Sequence, residues 1–329
     1  MLDAPFPWFG GKRRVAAEVW QRFGDVPNYV EPFFGSGAVM LNRPHSPRIE
    51  TVNDKDGFVA NFWRAVRADP EQTAYHADWP VNENDLHARH AWLLSQRESL
   101  SEYLEGDPEF FDPKIAGWWV WGVCAWIGSG FCEGNGPWRV VEGKLVHLGN
   151  AGRGVNRQLV HLGDAGRGVN RKLVHLGDAG QGVNRKLVHL GDAGQGVWFT
   201  ALSERLRRTR ICSGDWARVV TDSVTHRHGL TAVFLDPPYA TEEWAYQAAQ
   251  EPVSVAVREW AIEAGKNPLM RIALCGYEGE HDMPSDWEVH AYKGKKGYAA
   301  AEEALENLSR ERIWFSPACL KGPQQGALL

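Results

Sequence analysis

The sequence of 329 residues predicts an α/β fold in which a mostly parallel sheet is interrupted by a central insertion. Short apolar segments typical of buried strands alternate with amphipathic segments typical of helices, and this alternation is characteristic of parallel sheets. A near-perfect tandem repeat over residues 144–197 breaks the alternation in the middle of the chain. The segments on either side of the repeat are therefore assigned to one sheet, and the repeat to the insertion.

The composition is that of a soluble globular protein, with 43% hydrophobic and 23% charged residues. A formal net charge of -5 disfavours a general nucleic-acid coat, because a DNA-binding chain of this charge must concentrate its basic residues locally. The five cysteines form no Cys-x-x-Cys pair, and their odd number favours a reducing compartment over a disulfide framework. The uncharged segment 115–131 is shorter than the roughly 20 residues of a membrane span and is interpreted as a buried helix running into a loop. The sequence also shows no signal peptide, so we expect a cytoplasmic protein that contacts no membrane.

Residues 5–14 predict a loop that closes on a ligand. The segment combines two prolines, three aromatic residues, a Gly-Gly turn and Lys12, whose ammonium could meet a carboxylate. The alternative is an amino-terminal arm that contains a turn. A helix is predicted to follow from about Val15 to Phe23.

Residues 28–39 predict a short strand, an acidic residue, a glycine loop and a helix that continues to about Leu41. Glycines let the backbone pass close to a ligand, and the start of a helix presents free N–H groups. The loop lacks the full G-x-G-x-x-G of nicotinamide sites and the G-K-[ST] of phosphate loops. An ordinary turn from strand to helix is the alternative.

Residues 48–56 predict a second strand that ends at Asn53-Asp54. An acid some twenty residues after a glycine loop is positioned to bind ribose hydroxyls. The alternative is that Asp54 or Asp56 caps the next helix. That helix is well marked by apolar residues on one face, from Phe58 to Val66. Another amphipathic helix is predicted at 83–104, before the buried helix of segment 115–131, which is rich in tryptophan.

The tandem repeat has a period of 14, and its copies begin at Lys144, Gln158, Lys172 and Lys186. It holds eight Lys or Arg residues against three Asp and no Glu, which makes it basic in an acidic chain. One histidine recurs in each copy, but no closer His or Cys partner flanks it, so a metal site is disfavoured. A duplication inside a tolerant loop is the alternative to a functional role.

After the repeat, a helix is predicted at 198–210 and a strand at 211–216 that ends at Asp215. A buried strand at 232–235 then runs into Asp236-Pro-Pro-Tyr239. The prolines end the strand and remove two backbone donors, so this stiff turn lies where open α/β sheets bind ligands. The acceptor-rich wall suits an amino group, and the tyrosine ring suits a planar base. The alternative is a Pro-Pro turn with a solvated acid. A helix at 253–264 and strands at 271–277, 288–293 and 313–316 complete the chain.

Four motifs in this order resemble those of the Dam-like DNA adenine methyltransferases: Trp8–Lys12, Val30–Gly37, Asn53-Asp54 and Asp236–Tyr239. The ending Arg-Ile-Trp-Phe-Ser-Pro resembles that of phage and prophage members. The resemblance covers residues 5–60 and 198–320. It implies a Rossmann-like fold dependent on S-adenosylmethionine, with methyl transfer to the exocyclic amine of adenine in double-stranded DNA. The repeats have no counterpart in short members of the family.

The resemblance also implies a role for individual residues. Asp236 and the Pro237 carbonyl would hold the target amine, with Pro238 completing the turn and Tyr239 stacked on the base. The residues assigned to the cofactor are Trp8, Lys12, Glu31, Phe33, Gly35, Gly37, Asp54, Asp215 and Asp236. The catalytic domain would span 1–70 and 198–329, and the inserted target-recognition region 71–197. The basic residues expected to contact DNA are Arg153, Arg157, Arg167, Arg171, Lys172, Arg185 and Lys186.

Three alternatives stay open at this point. The same pocket would serve methylation of RNA adenine or of the exocyclic amine of cytosine. From another class, the chain would be a non-catalytic DNA-binding protein with the same fold. No metal is expected, and a restriction endonuclease is a possible partner.

Overall fold

The computed structural model describes residues 2–8, 12–126, 131–132, 138–141, 144–147, 194–239, 253–292 and 310–322. The strands are β1 (Asn28–Glu31), β2 (Ile49–Asp54), β3 (Trp138–Val141), β4 (Lys144–His147), β5 (Thr209–Ser213), β6 (Thr231–Leu235), β7 (Met270–Tyr277), β8 (Glu288–Ala291) and β9 (Glu311–Phe315). The α-helices are α1 (Ala16–Phe23), α2 (Ala38–Leu41), α3 (Gly57–Ala68), α4 (Pro70–Ala77), α5 (Glu83–Gly106), α6 (Pro113–Ala125), α7 (Gly194–Leu206) and α8 (Val253–Ala264).

The chain divides into two compact units, the first comprising residues 10–54 and 208–329 and the second residues 2–9 and 55–207. The catalytic domain predicted from the sequence extends to residue 70, and that domain boundary stays a prediction. Residues 55–70 group with the second unit because α3 packs against α5, α6 and α7. The role of the insertion in target recognition stays a prediction.

The first unit is built on a seven-stranded sheet of order β5-β2-β1-β6-β7-β9-β8. The five strands from β5 to β7 are parallel, whereas β9 is antiparallel to both β7 and β8. This arrangement confirms the predicted mostly parallel α/β sheet. Every residue of β1 and β6 is buried, as expected of parallel strands that are covered on both faces.

One core of this unit lies between the sheet and α8. Val233 and Leu235 of β6 and Ile272 of β7 are fully buried together with Val257 and Ala261 of α8. The predicted helix at 253–264 is confirmed with the same bounds. This packing fixes β6, and therefore the start of the turn at Asp236.

The order of the strands brings the candidate residues to one edge of the sheet. The carboxyl ends of parallel strands share an edge, and the strand order reverses between β1 and β6, which is the point where sheets of this type bind their ligands. Because β9 runs in the opposite direction, its first residue reaches the same edge, where Glu311 pairs with Tyr277 at the end of β7.

The second unit consists mainly of helices. Helix α6 packs against α3, α4 and α5, and its core includes the fully buried Phe62, Trp63, Trp119 and Phe199. Helices α5 and α6 confirm the two helices predicted before the repeat. Strand β4 opens the first copy of the repeat and pairs with β3, and residues 148–193 lie outside the described part of the chain. None of the described helices is long and apolar enough to cross a membrane.

Candidate active site

The glycine loop after β1 has a backbone that side chains rarely allow. Gly35 and Gly37 have φ angles of 48° and 67°, in the left-handed region that favours glycine. Asn53 ties this loop to its neighbours, because its Nδ2 donates to Pro32 O at 3.1 Å and to Gly214 O at 3.0 Å. The loops that follow β1 and β5 are therefore tied to the end of β2 by one buried amide.

Asp54 lies against the glycine loop, at the end of β2. Its Oδ2 accepts a hydrogen bond of 2.8 Å from the backbone N–H of Gly35. The capping role that the sequence left open belongs to Asp56, whose Oδ1 accepts from Phe58 N at 2.8 Å. The carboxylate of Asp54 is therefore placed at the loop and not at a helix start.

Asp236 is the centre of a cluster of polar side chains at the end of β6. Its Oδ1 accepts from Lys12 Nζ at 2.9 Å and from the hydroxyl of Tyr239 at 3.0 Å. Among the described residues, no donor reaches the other oxygen, Oδ2. The carboxylate is therefore held through one oxygen while the second is available to a ligand.

Burial and charge fix the protonation states in this cluster. Burial alone would lower the pKa of Lys12, but the carboxylates of Asp236 and Glu311 outweigh it and raise that pKa above its ordinary value. Burial, reinforced by the charge of Asp236, raises the pKa of Tyr239 well above its ordinary value. At neutral pH Lys12 is therefore an ammonium and Tyr239 a phenol, so that both donate to Asp236.

The ring of Tyr239 is fixed by its neighbours. It packs edge-to-face against the ring of Tyr277, with the ring centroids 4.6 Å apart and the ring planes at 70°. Lys12 Nζ lies 5.2 Å from the Tyr239 centroid, within the range of a cation–π contact. The ring on which a base was predicted to stack is thus in contact with two neighbouring side chains.

The other residues assigned to the cofactor differ in their surroundings. Glu31, at the end of β1, accepts from the Tyr29 hydroxyl at 2.7 Å, and its burial raises its pKa well above the ordinary value. Phe33 stacks on Trp216, with centroids 6.3 Å apart. Asp215 is exposed, and its Oδ1 accepts from Ala217 N at 2.8 Å to cap a short 3-10 helix.

Residues 8–101 match the model of one protein family, described as D12 class N6 adenine-specific DNA methyltransferase. The chain is an adenine-specific DNA methyltransferase. The matched segment includes Lys12, the glycine loop and Asp54, while the Asp236–Tyr239 turn lies beyond it. Members of this family depend on S-adenosylmethionine. None of the curated proteins compared with the methyltransferase matches it.

The residues of the methyltransferase that fit the cofactor lie in the first unit. The left-handed glycines leave two positions of the loop without side chains, Asp54 offers a carboxylate beside it, and Phe33 with Trp216 offers an aromatic surface. Trp8 belongs to the second unit, where it packs against Phe6 and Trp119. Its predicted contact with the cofactor stays a prediction.

Three residues of this methyltransferase were not identified from the sequence. Trp216 follows β5, Glu311 begins β9, and Tyr292 follows β8, where its hydroxyl donates to Glu311 Oε2. A signal for Glu311 does exist, since it directly precedes the Arg-Ile-Trp-Phe-Ser-Pro ending. This signal identifies Glu311 as a site residue only when β9 is known to be antiparallel to β7.

The residues predicted to bind DNA cannot be placed, because Arg153, Arg157, Arg167, Arg171, Lys172, Arg185 and Lys186 all lie outside the described residues. Their role stays a prediction. Within the described part of the methyltransferase, no group of three or more His, Cys, Asp or Glu residues could hold a metal ion.

Proposed function

We propose that the methyltransferase takes its methyl group from S-adenosylmethionine and holds the target amine of adenine at Asp236 and the Pro237 carbonyl. The observation that carries this proposal is the asymmetric binding of Asp236. Its Oδ1 is engaged by Lys12 and Tyr239, which leaves Oδ2 for an N–H of the amine. The turn lies at the edge where a sheet of this type binds its ligands.

The chemistry requires an acceptor for each proton of the amine. An exocyclic amine is a poor nucleophile while its lone pair is conjugated into the ring. Two acceptors on its protons favour a pyramidal nitrogen and direct the lone pair outward. Bound S-adenosylmethionine supplies an activated methyl group, and the contribution of Asp236 and Pro237 is positioning and electrostatics without a covalent enzyme intermediate.

The base must leave the duplex to reach this turn. Methyltransferases that act on a base extrude it from the stack, which costs a few kcal/mol. Stacking on Tyr239 offsets part of that cost, at about 1–3 kcal/mol for a base on an aromatic ring. The contacts of Tyr239 with Tyr277 and Lys12 support this role because a fixed ring loses little entropy on binding.

We assign the cofactor to the glycine loop, with Gly35 and Gly37 in close approach, Asp54 on the ribose, and Phe33 beside the ring. The positive φ angles and the position of Asp54 support this assignment. Lys12 was assigned to the cofactor by resemblance. Its contacts with Asp236 and Glu311 support an additional role at the catalytic carboxylate. A cytoplasmic location, a phage origin and a partner endonuclease stay predictions.

Substitution of the catalytic carboxylate tests the proposal. Asp236→Ala should abolish methylation, at a cost on the order of 3 kcal/mol or more, while S-adenosylmethionine binding measured by calorimetry stays largely intact. Asp286→Ala, which removes an exposed acid of the same unit, is the control and should retain activity. The assay follows methyl transfer to duplex DNA and to RNA, and the modified base is mapped by long-read sequencing.

Three outcomes contradict the proposal. Activity of Asp236→Ala within tenfold of the wild type would remove Asp236 from the reaction. Binding of S-adenosylmethionine by the wild type without turnover on any DNA would favour the non-catalytic alternative. A modified adenine in RNA but not in DNA would contradict the family assignment of the substrate.

A further inference from the structure

We propose that Glu311 is a positioning residue of the methyl-transfer centre, which acts through Lys12 and keeps a net negative charge beside Asp236. The inference rests on the proposed role of Asp236. It concerns a residue outside the four motifs and outside the segment that matches the family model, which ends at residue 101.

The direction of β9 places Glu311 at the site. The residue is 6% exposed and stands opposite Tyr277 at the start of β9. Since β9 is antiparallel to β7, this start lies at the edge formed by the carboxyl ends of the parallel strands. The catalytic edge is therefore extended by two strands that are not part of the parallel sheet.

The contacts form a continuous chain of side chains. Tyr292 donates its hydroxyl to Glu311 Oε2, and its N–H donates to Glu311 O at 3.3 Å. Lys12 Nζ lies 3.8 Å from the same Oε2 and 2.9 Å from Asp236 Oδ1. Tyr292 therefore anchors Glu311, and Glu311 gives Lys12 a second, longer ion pair beside the one with Asp236.

The charges explain why a second carboxylate is useful. Lys12 alone would cancel the charge of Asp236 and leave the centre neutral. With Glu311, the described side chains of the centre are one ammonium and two carboxylates, which together carry one net negative charge. As the N6 lone pair forms its bond to the methyl group, the bond between that methyl and the sulfonium sulfur of the cofactor would break, and its electron pair would stay on the sulfur. The nitrogen would then be positive until one of its protons leaves to water. A fixed negative charge in a water-poor site stabilises that transition state.

Glu31 does not replace Glu311 in this role. Burial raises the pKa of Glu31 well above its ordinary value, although the hydrogen bond from Tyr29 opposes the shift. The charge of Asp236 adds to the increase in the Glu31 pKa. The carboxylate that faces Lys12 together with Asp236 is that of Glu311.

The experiment compares single-turnover methylation of duplex DNA in a series of full-length variants. Glu311→Gln removes the charge and keeps the shape, and its rate should fall roughly tenfold or more, with S-adenosylmethionine affinity nearly unchanged. Glu311→Asp keeps the charge and should recover part of the rate. Tyr292→Phe removes only the anchor and should give a smaller loss than Glu311→Gln.

Glu278→Gln is the matched control. Glu278 directly follows β7 and is an exposed carboxylate that pairs with Arg312 of β9 at 2.7 Å. It resembles Glu311 in charge and in its link to β9 but does not contact Lys12 in the structure. Its variant should methylate DNA at the rate of the wild type.

A double-mutant cycle with Lys12→Met decides whether Glu311 acts through Lys12. If it does, Glu311→Gln should cost little in the Lys12→Met background, because interacting residues are not additive. A wild-type rate for Glu311→Gln, or the same loss in both backgrounds, would overturn the proposal. If Glu311→Gln does not fold, the Tyr292→Phe variant tests the proposal in its place. A methylation rate of Tyr292→Phe equal to that of the wild type would then overturn the proposal. Each of these results leaves the role of Asp236 to its own test.

Discussion

Lys12 shows how a single buried charge constrains the whole centre. An ammonium that is 4% exposed costs several kcal/mol unless carboxylates surround it. Its pairing with Asp236 and Glu311 meets that cost and orders Asp236 before DNA binds. A substitution at Lys12 therefore has two effects, since it changes the proposed cofactor site and leaves two carboxylates without their shared counter-ion. For this reason the cycle with Glu311 is more informative than a Lys12 variant alone.

His90 of α5 is a second single residue with a measurable effect. We expect it to make the free energy of unfolding depend on pH. Burial, with the positive charges of His87 and Arg97, lowers its pKa from 6.5 to about 4. The ring is 4% exposed and stacks on Trp126, with centroids 5.0 Å apart. Because the folded pKa lies below the unfolded one, the contribution of neutral His90 is complete above about pH 6.5 and is lost as the pH falls towards 4.

Urea unfolding at pH 7.5 and pH 5 checks this expectation. The free energy of unfolding should fall by up to about 2 kcal/mol from His90 alone. His90→Phe should show a smaller fall, whereas His228→Gln, which changes an exposed histidine, should show the fall of the wild type. An equal fall in His90→Phe would show that other groups cause the pH dependence.

The sequence was most informative for residues whose neighbours in the chain reveal their role. Asp236 and Tyr239 follow a buried strand and two prolines, so their place at the sheet edge followed from local pattern alone. Glu311 follows no such strand, and it reaches the site only because β9 is antiparallel. Lys12 was predicted in a loop, whereas it begins a short 3-10 helix, Lys12–Arg14. Its partners depended on strand order, which local pattern does not contain.

At the scale of elements, the glycine loop is expected to be the most sensitive segment of the site. Gly35→Ala must hold a φ of 48°, which costs a residue with a side chain about 1–2 kcal/mol. The loop would relax at the expense of the bond from Gly35 N to Asp54, so affinity for S-adenosylmethionine should fall along with the melting temperature. Calorimetry and thermal melting measure the two effects.

Gly106→Ala is the control for this prediction. Gly106 is the last residue of α5, and an added Cβ would meet nothing within 4 Å. Alanine there should be neutral or should stabilise the helix, by up to about 1 kcal/mol. Equal affinity for S-adenosylmethionine in Gly35→Ala and the wild type would show that the loop does not approach the cofactor.

The helices and strands were predictable where the apolar residues follow a single periodicity. They were less predictable where a helical pattern runs directly into the alternation of a strand. The segment 198–210 was predicted as a helix, but α7 ends at Leu206 and β5 begins at Thr209. Thr209 and Ile211 are buried and Arg210 is exposed, which is the alternation of a strand. The run of arginines hid this change because four such residues fit an exposed helix face equally well. The pairing of Thr209 Oγ1 with Glu50 at 3.1 Å is a contact between distant segments that no local pattern reveals.

At the scale of the whole molecule, the distribution of charge bears on how an acidic protein binds DNA. The formal net charge is -5, yet the repeat segment 144–197 holds eight basic residues against three acidic ones. A protein of this charge must present its basic residues in one place to attract phosphates. Four near-identical copies are poorly suited to reading a short asymmetric sequence, so phosphate contact is the role that we predict for them.

Deletion of residues 158–185 tests this role because it removes two whole copies and keeps the register of the repeat. It removes Arg167, Arg171, Lys172 and Arg185. The affinity for DNA should fall, and the salt dependence of binding should become shallower by up to about 4 × 0.9 in the slope of log K against log salt. Because phosphate contacts position the protein without reading bases, the methylated sequence should stay the same. Fluorescence anisotropy over a salt series measures the slope, and sequencing of methylated DNA gives the target. A changed target would show that the repeats read bases, and an unchanged affinity and slope would show that they are a duplicated loop that does not touch DNA.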